Sequence, residues 1–500
     1  MESAIHGRLR NAWQAMGDRI SIRDGDAGWS GRQLLERTDR MRRSLGELGI
    51  ERNEPVVVFV SNIAADFAAL LAVWEAGGVV VPVHRGSPAG AFAPVLEATA
   101  SRFQVDGRLT AWPDTAEPFP HAERPGVRVL GAVRPAMDPI LDGAALVVFT
   151  SGSTGRPKGV VLSHTALARK LDNNQSVFGL DSADRTLLVL QMTFSFGMWV
   201  SLLTLTHRAV LVLRHRAVLA DTLETLVAEK ITRTALVPTT LRALVANSGA
   251  AEAVSQIEAG GQLRDIFTGG EILTAPVAEA VRCLLPGTAL TNIFGLTETA
   301  TSDFILGPDD AIRHPGAIGR PAPGVRYRII DERGQPIGDD RPGELQIATA
   351  TMMNGYLGQP ALTEASFAGG MFRTGDMARR HPDGVVEVVG RLKELISRGA
   401  NKVYPQEVEQ ALHSHPAVAE ALVTGVPDAL LGERIHAAVV LSAGHTAEAA
   451  ALREWTALRL DRFKLPDAIH FVDALPLGRT GKTDRNQLRD WCAMIPTRPA

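Results

Sequence analysis

Short β-branched runs alternate with helix-length segments through the first three-fifths of this 500-residue chain. Val56–Val60 (VVVFV), Gly78–Val83 (GVVVPV), Leu146–Thr150 (LVVFT), Leu187–Leu190, Val210–Leu213, Ala235–Pro238, Asp265–Thr268 and Ala289–Phe294 read as strands. Asp66–Gly77, Asp221–Lys230 and Thr239–Ala246 read as helices between them. A strand that is apolar on both faces must be covered on both, and strands separated by helices pair in parallel. The pattern therefore excludes all-helical and all-β folds and predicts an α/β protein with helix-coated parallel sheets. Ligands of such sheets gather at the carboxyl ends of the strands.

At roughly 100–200 residues per domain the chain is too long for one. Its texture changes after about residue 315, where Tyr327–Ile330, Gly343–Ala348 and Val385–Val389 form short β-rich runs bounded by Gly and Pro. These predict a small barrel-like subdomain over 318–390. A compact α+β segment follows, with a helix from Tyr404 to His413, strands near Val418–Thr424 and His436–Leu441, a helix over Ala447–Leu460 and a strand near Ile469–Val472. The stretch from Arg108 to Asp142 reads as an irregular surface connection.

A net charge of −3 gives no generic attraction to nucleic acid or anionic membranes. No run of 18 apolar residues is present and the N-terminus lacks a secretory pattern, so the expected location is the cytoplasm. Cys283 and Cys492 exclude a disulfide framework, lack zinc-type spacing and read as inert buried thiols. Of the 52 Lys and Arg residues only seven are Lys: Lys158, Lys170, Lys230, Lys393, Lys402, Lys464 and Lys482. Where Arg is the default cation, each Lys is worth placing.

Phe149–Gly159 reads FTSGSTGRPKG, between the run LVVFT and a helix expected to begin near His164. Glycines let backbone N–H groups converge, hydroxyls add donors and a cation meets the charge, which is how phosphates are cradled. The Walker A pattern fails, because counting from Gly152 the second Gly falls at Pro157 and Lys158 is followed by Gly159. The dinucleotide fingerprint fails because Gly152 and Gly155 are spaced too widely.

The stretch TSGSTGRPKG resembles the phosphate-loop signature of the adenylate-forming superfamily, which comprises acyl- and aryl-CoA synthetases, adenylation domains of nonribosomal peptide synthetases, and luciferases. The resemblance extends over nearly the whole chain, and its pattern is nearest to a stand-alone acyl/aryl-CoA ligase. It implies a large domain, 1–391, that binds ATP and a carboxylic acid, and a mobile domain, 392–500. Thr150, Ser151, Gly152, Ser153, Thr154, Gly155 and Lys158 would hold phosphates. Phe294-Gly295-Leu296-Thr297-Glu298 resembles the aromatic-G-x-T-E motif: a ring can stack on adenine, Thr297 can reach the α-phosphate and Glu298 can hold Mg²⁺. Phe replaces the usual Tyr.

Gly269-Gly270-Glu271 resembles the segment that lets backbone approach the acyl adenylate, ahead of a helix that Thr274 would cap. Asn292 falls among the nucleotide-binding positions. Asp376, in Phe372-Arg373-Thr374-Gly375-Asp376, and Arg391 would reach the ribose. Lys393 takes the hinge position, Gly399 would permit close approach at a thiol channel, and Asn401–Pro405 resembles the loop entering the site in the second half-reaction. Lys482, in Leu477–Arg485, would bridge the substrate carboxylate and the α-phosphate.

On the substrate side, Leu190–Met198 (LQMTFSFGM) lacks the Asp that grips an α-amino group, which favours an acyl or aryl acid. Phe194, Phe196, Gly197, Met198 and Trp199 form either an apolar pocket wall or ordinary core. His207, Arg208 and Asp303 are further polar candidates on that side. The acceptor reads as coenzyme A. Part of the family that this chain resembles meets coenzyme A at these positions; Leu431 and Asp467 depart from those contacts while Phe463 and Lys464 keep them, so the phosphopantetheine of a discrete carrier protein stays open as the alternative. A homodimer is compatible with all of this. Lys170 and Lys230 have no role beyond a solvated surface.

Overall fold

Two large sheets and two small ones, described for residues 4–108, 123–130, 138–150, 157–215, 218–271, 273–399, 401–428, 430–442, 444–477 and 483–494, make up the computed structural model. One sheet has eight strands in the order Gly355–Tyr356, Lys158–Ser163, Ala144–Thr150, Val79–His84, Pro55–Val60, Phe103–Asp106, Val127–Val129 and Glu123–Arg124. Its centre is parallel and its ends antiparallel.

The other has nine strands, in the order Arg320–Pro321, Phe304–Leu306, Ala289–Phe294, Asp265–Gly269, Arg233–Leu236, Arg185–Leu188, Val210–Leu213, Ile20–Asp24 and Ala27–Ser30. It too is parallel in the middle and antiparallel at both ends.

The helices between these sheets explain the two-sided burial. Ala64–Glu75 (AADFAALLAVWE) and Ser195–Thr206 (SFGMWVSLLTLT) have almost no polar face and are buried nearly all round. Gly31–Glu47, by contrast, buries one stripe through Leu34, Thr38, Met41 and Leu45. Ser30 and Gln33 close a reciprocal capping box at its start. One apolar cluster joins residues of both sheets through Trp13, Phe67, Leu202, Phe267 and Ile293.

In the β-rich region Val325–Ile330, Gly343–Thr349, Met371–Arg380, Val386–Arg391 and Phe367–Ala368 make an open antiparallel sheet rather than a closed barrel. Gly355–Tyr356 lies within that stretch of sequence but returns to the eight-stranded sheet. Beyond the single turn Leu392–Glu394, a second α+β unit pairs Asn401–Val403, Ile396–Arg398, Gly432–Leu441, Val418–Asp428 and Ala468–Phe471. It touches the larger body where Arg242 meets Glu420 at 3.3 Å and where Gly390 lies against the Tyr404 ring.

Four expectations are corrected. The Gly-rich loop does not lead from a strand into a helix. It joins two antiparallel strands, Ala144–Thr150 and Lys158–Ser163, and the helix His164–Phe178 starts only after the second. The run KGVVLS pairs on both edges, which a reading focused on the loop passed over. The connection after Arg108 contributes two edge strands at Glu123–Arg124 and Val127–Val129. Cys283 is exposed, while Cys492 is buried. Lys170 is not a solvated side chain: it is 2% exposed and paired with Asp303.

Candidate active site

The carboxyl ends of Asp265–Gly269 and Ala289–Phe294 are adjacent, with Gly269 opposite Ile293. The glycines are there because backbone is close. A Cβ on Gly269 would fall 2.2 Å from the Ile293 carbonyl oxygen, and one on Gly295 would fall 2.1 Å from the Ser302 nitrogen. Gly270 turns with φ +83°, a left-handed conformation that glycine adopts without a Cβ penalty. Gly295→Ala forces backbone apart at the start of the Thr297–Glu298 turn. It should cost about 1–3 kcal/mol of stability and depress acid-dependent ATP–pyrophosphate exchange at least tenfold, measured beside a urea melt.

After Gly295 the chain makes one turn, Thr297–Thr299, and then three successive left-handed residues, Ala300, Thr301 and Ser302, with φ of 59°, 62° and 57°. Such conformations cost of order 1–3 kcal/mol each unless their surroundings over-determine them. The over-determination is visible. Buried Asp303 accepts from the Leu296 backbone N–H at 3.3 Å and from the Thr299 hydroxyl. Lys170 donates to Asp303 at 3.0 Å and to the Ser302 carbonyl at 3.2 Å. Burial pushes the Asp303 carboxyl up, and the Lys170 ammonium pulls it back down.

The two side chains this turn displays are held from outside it. Thr297 Oγ1 lies 3.3 Å from Ser195 Oγ, on the segment read as the substrate side. The Tyr356 hydroxyl donates to Glu298 Oε1 at 2.8 Å, and the Lys158 ammonium lies 5.2 Å from the centre of the Tyr356 ring. Burial, and then the Glu298 carboxylate, push the Tyr356 phenol well above its usual range, so it stays a donor. Tyr356 thus links Lys158 to the Glu298 carboxylate, and sequence reasoning missed it. A signal existed: the chain has only three Tyr, and they deserved the placement given to the seven Lys.

Thr150 and Lys158 face each other across the hairpin at the ends of the Gly-rich loop. Ser151, Gly152, Ser153, Thr154 and Gly155 lie outside the described residues. So does Lys482, although Leu477 and Thr483 on either side of its segment pair with each other.

Asp376 faces Arg391 across neighbouring strands, and their side chains meet at 3.0 Å. Asp376 is 1% exposed, and its Oδ2 is buried with no hydrogen-bond partner. Burial raises its pKa, and Arg391 opposes the rise. A buried carboxylate oxygen without a donor is costly, and a ligand hydroxyl is the kind of donor that would satisfy it. Arg373 in the same motif is committed elsewhere, to Glu344 at 3.0 Å.

Other expected residues are held by the protein itself. Asn292 donates to the Ala317 carbonyl at 3.0 Å. Phe294 packs edge-on against Phe304. Glu271 accepts from Thr239 at 2.8 Å and pairs with Arg242 at 3.3 Å. Thr274 occupies the N-cap of Ala275–Leu284 without a side-chain capping bond.

The apolar segment divides. Phe194 is 42% exposed, Met198 and Trp199 are buried core, and Phe196 stacks on Trp199. Gly197 is needed because a Cβ there would meet the Gln191 carbonyl at 2.4 Å. Lys393 lies on the single turn Leu392–Glu394, and Gly399 is left-handed with φ +64°.

The model of the AMP-binding enzyme family matches residues 9–357, and that of the family's C-terminal domain matches residues 407–482. The chain is 30% identical over 488 residues to a feruloyl-CoA synthase of Amycolatopsis, covering 94% of this chain and 95% of that one. It is 29% identical over 482 residues to the fatty acid–[acyl-carrier-protein] ligase ScoC of Streptomyces coeruleorubidus, covering 92% and 90%. The amide bond synthetase McbA of Marinactinospora thermotolerans superposes with a TM-score of 0.85 at 26% identity, over 98% of this chain and all of that one.

The chain belongs to the AMP-binding enzyme family. Within that family it is an AMP-forming ligase of the acyl/aryl-CoA ligase type.

Proposed function

We propose that the chain activates an acyl or aryl carboxylic acid as an acyl adenylate and passes it to the thiol of coenzyme A. The observation that supports this most directly is Asp376. One of its oxygens is paired with Arg391 and the other is buried without a donor. That suits a ribose diol, which supplies two hydroxyl donors.

In the first step the substrate carboxylate attacks the α-phosphorus and pyrophosphate leaves. Thr150–Lys158 hold the leaving phosphates and Thr297 contacts the α-phosphate. Lys482 neutralises the charge that develops at phosphorus, where a fixed cation acts most strongly on the transition state. The Glu298 carboxylate, oriented by Tyr356, would hold Mg²⁺, which prefers hard oxygen ligands. Bound there, the ion would supply charge neutralisation at the departing pyrophosphate.

The second step needs Lys482 out and a thiol in. We place the domain boundary at 391/392 and the pivot at Lys393. The thiol attacks the acyl carbon, the carbon–oxygen bond to AMP breaks, and the thiol proton leaves to solvent. Lys393→Pro should leave adenylation within about twofold and lower thioester formation by an order of magnitude or more, since Pro fixes φ near −65°. Separate assays of the two half-reactions check this, and unchanged overall turnover would contradict it.

The carrier-protein reading keeps one specific support. Lys464 is paired with Glu407 at 2.9 Å and Asp467 with Arg398 at 2.6 Å, so both charges at the segment matched to coenzyme A contacts are met internally. Hydroxamate trapping across aliphatic, aryl and amino acids defines the acid. Repeating the turnover with coenzyme A and with a phosphopantetheinyl carrier protein decides the acceptor. Trapping confined to α-amino acids would overturn the assignment of the acid.

A further inference from the structure

His436, His470 and Cys492 come from three different elements of the C-terminal unit. His436 lies on Gly432–Leu441, His470 on Ala468–Phe471, and Cys492 on the helix Arg485–Met494. The two strands run parallel, with His436 opposite Ala468 and Ala438 opposite His470. The helix covers the same face, because Cys492 packs in one cluster with Ala438 and Leu488.

One ligand atom from each of the three residues lies within 4.8 Å of the others. Nδ1 of His436 is 3.1 Å from Nε2 of His470. His436 is 1% exposed, Cys492 is also 1% exposed, and His436 Nε2 has no hydrogen-bond partner. A buried imidazole with an unpartnered nitrogen beside a buried thiol, with half-buried His470 against them, is costly unless something uses the nitrogens and the sulfur.

We infer that His436, His470 and Cys492 form a binding site for one thiophilic divalent transition-metal ion of the Zn²⁺ class. The donor set is imidazole and thiolate with no carboxylate, which selects against Mg²⁺ and Ca²⁺. Ligand atoms on one tetrahedral zinc are separated by roughly 3.3–3.6 Å, from metal–nitrogen distances of about 2.0–2.1 Å and a metal–sulfur distance of about 2.3 Å. Binding would draw the three atoms, now within 4.8 Å of one another, to that spacing, with a water as the fourth ligand. Burial holds both imidazoles neutral, with His436 down at about 4, and pushes the Cys492 thiol up to about 11. On binding, both imidazole nitrogens donate lone pairs, the thiol becomes a thiolate, and one proton leaves to solvent.

The position gives the site a consequence. Lys482 lies on the chain between His470 and Cys492. A metal joining these residues ties the strand before the Lys482 segment to the helix after it. This consequence rests on the role proposed for Lys482, whereas the binding site does not.

The test uses the full chain, stripped with chelator and titrated with Co²⁺. The expected result is one equivalent bound, with a near-ultraviolet thiolate-to-cobalt band and the visible bands of four-coordinate cobalt, all displaced by Zn²⁺. The band should vanish in Cys492→Ala, weaken at least tenfold in affinity in His470→Ala, and persist in Cys283→Ala. Zn²⁺ should also slow amide exchange in Arg485–Met494. No thiolate band at one equivalent, or a band that survives Cys492→Ala, would overturn the site. Unchanged amide exchange with the band present would overturn the tie between strand and helix.

Discussion

Replacement of Lys482 by Ala is expected to abolish adenylation and largely spare the second half-reaction. A cation that meets charge only as it builds up at phosphorus is worth on the order of 10²–10³-fold in rate. ATP–pyrophosphate exchange should fall by at least that factor. Transfer of a supplied acyl adenylate to coenzyme A should stay within about threefold of wild type if, as proposed, the second step proceeds with Lys482 withdrawn. Single-turnover assays of each step make the comparison. Equal loss in both would remove Lys482 from the role given to it.

Lys170→Ala should have the largest effect on folding. It strands the Asp303 carboxylate, which is wholly buried beneath the Thr297–Glu298 turn. Breaking one side of a buried pair costs about 3–5 kcal/mol, whereas replacing both sides with apolar groups is often close to neutral. Lys170→Met with Asp303→Leu should therefore recover most of the stability lost by Lys170→Ala, as measured by thermal or urea unfolding. Exchange activity should recover less than stability in the double variant. The apolar pair cannot accept from the Leu296 N–H or the Thr299 hydroxyl, and both bonds help hold the turn through three left-handed residues. A double variant as unstable as Lys170→Ala would contradict the account.

The legible part of the site was the part where chemistry demands unusual residues in fixed local order. Gly269, Gly295 and Gly197 mark places where a Cβ would strike backbone, and Asp376 faces Arg391 because their strands are paired neighbours. Periodicity was enough for the parallel core, since strands such as Pro55–Val60 and helices such as Ala64–Glu75 are apolar in the way their burial requires.

What was illegible is non-local. Lys170 shares the buried stripe of its helix with Leu167, Leu171 and Asn174, but the partner that makes its burial tolerable is 133 residues away. Tyr356 reaches Glu298 across 58 residues from a strand of two residues, too short to show a period. The strand Lys158–Ser163 is a short continuous apolar run, buried at four successive positions, and so has no alternation to set it apart from the loop before it. His436, His470 and Cys492 have no zinc-type spacing, because pairing of strands and packing of a helix bring them together.

The most direct test of the central claim follows an oxygen atom. An accepted acid labelled with ¹⁸O in both carboxylate oxygens is turned over with ATP and coenzyme A, and the nucleotide product is analysed by mass spectrometry. Attack of the carboxylate on the α-phosphorus predicts AMP carrying one ¹⁸O and unlabelled pyrophosphate. Formation of ADP, or AMP without label, would contradict the assignment.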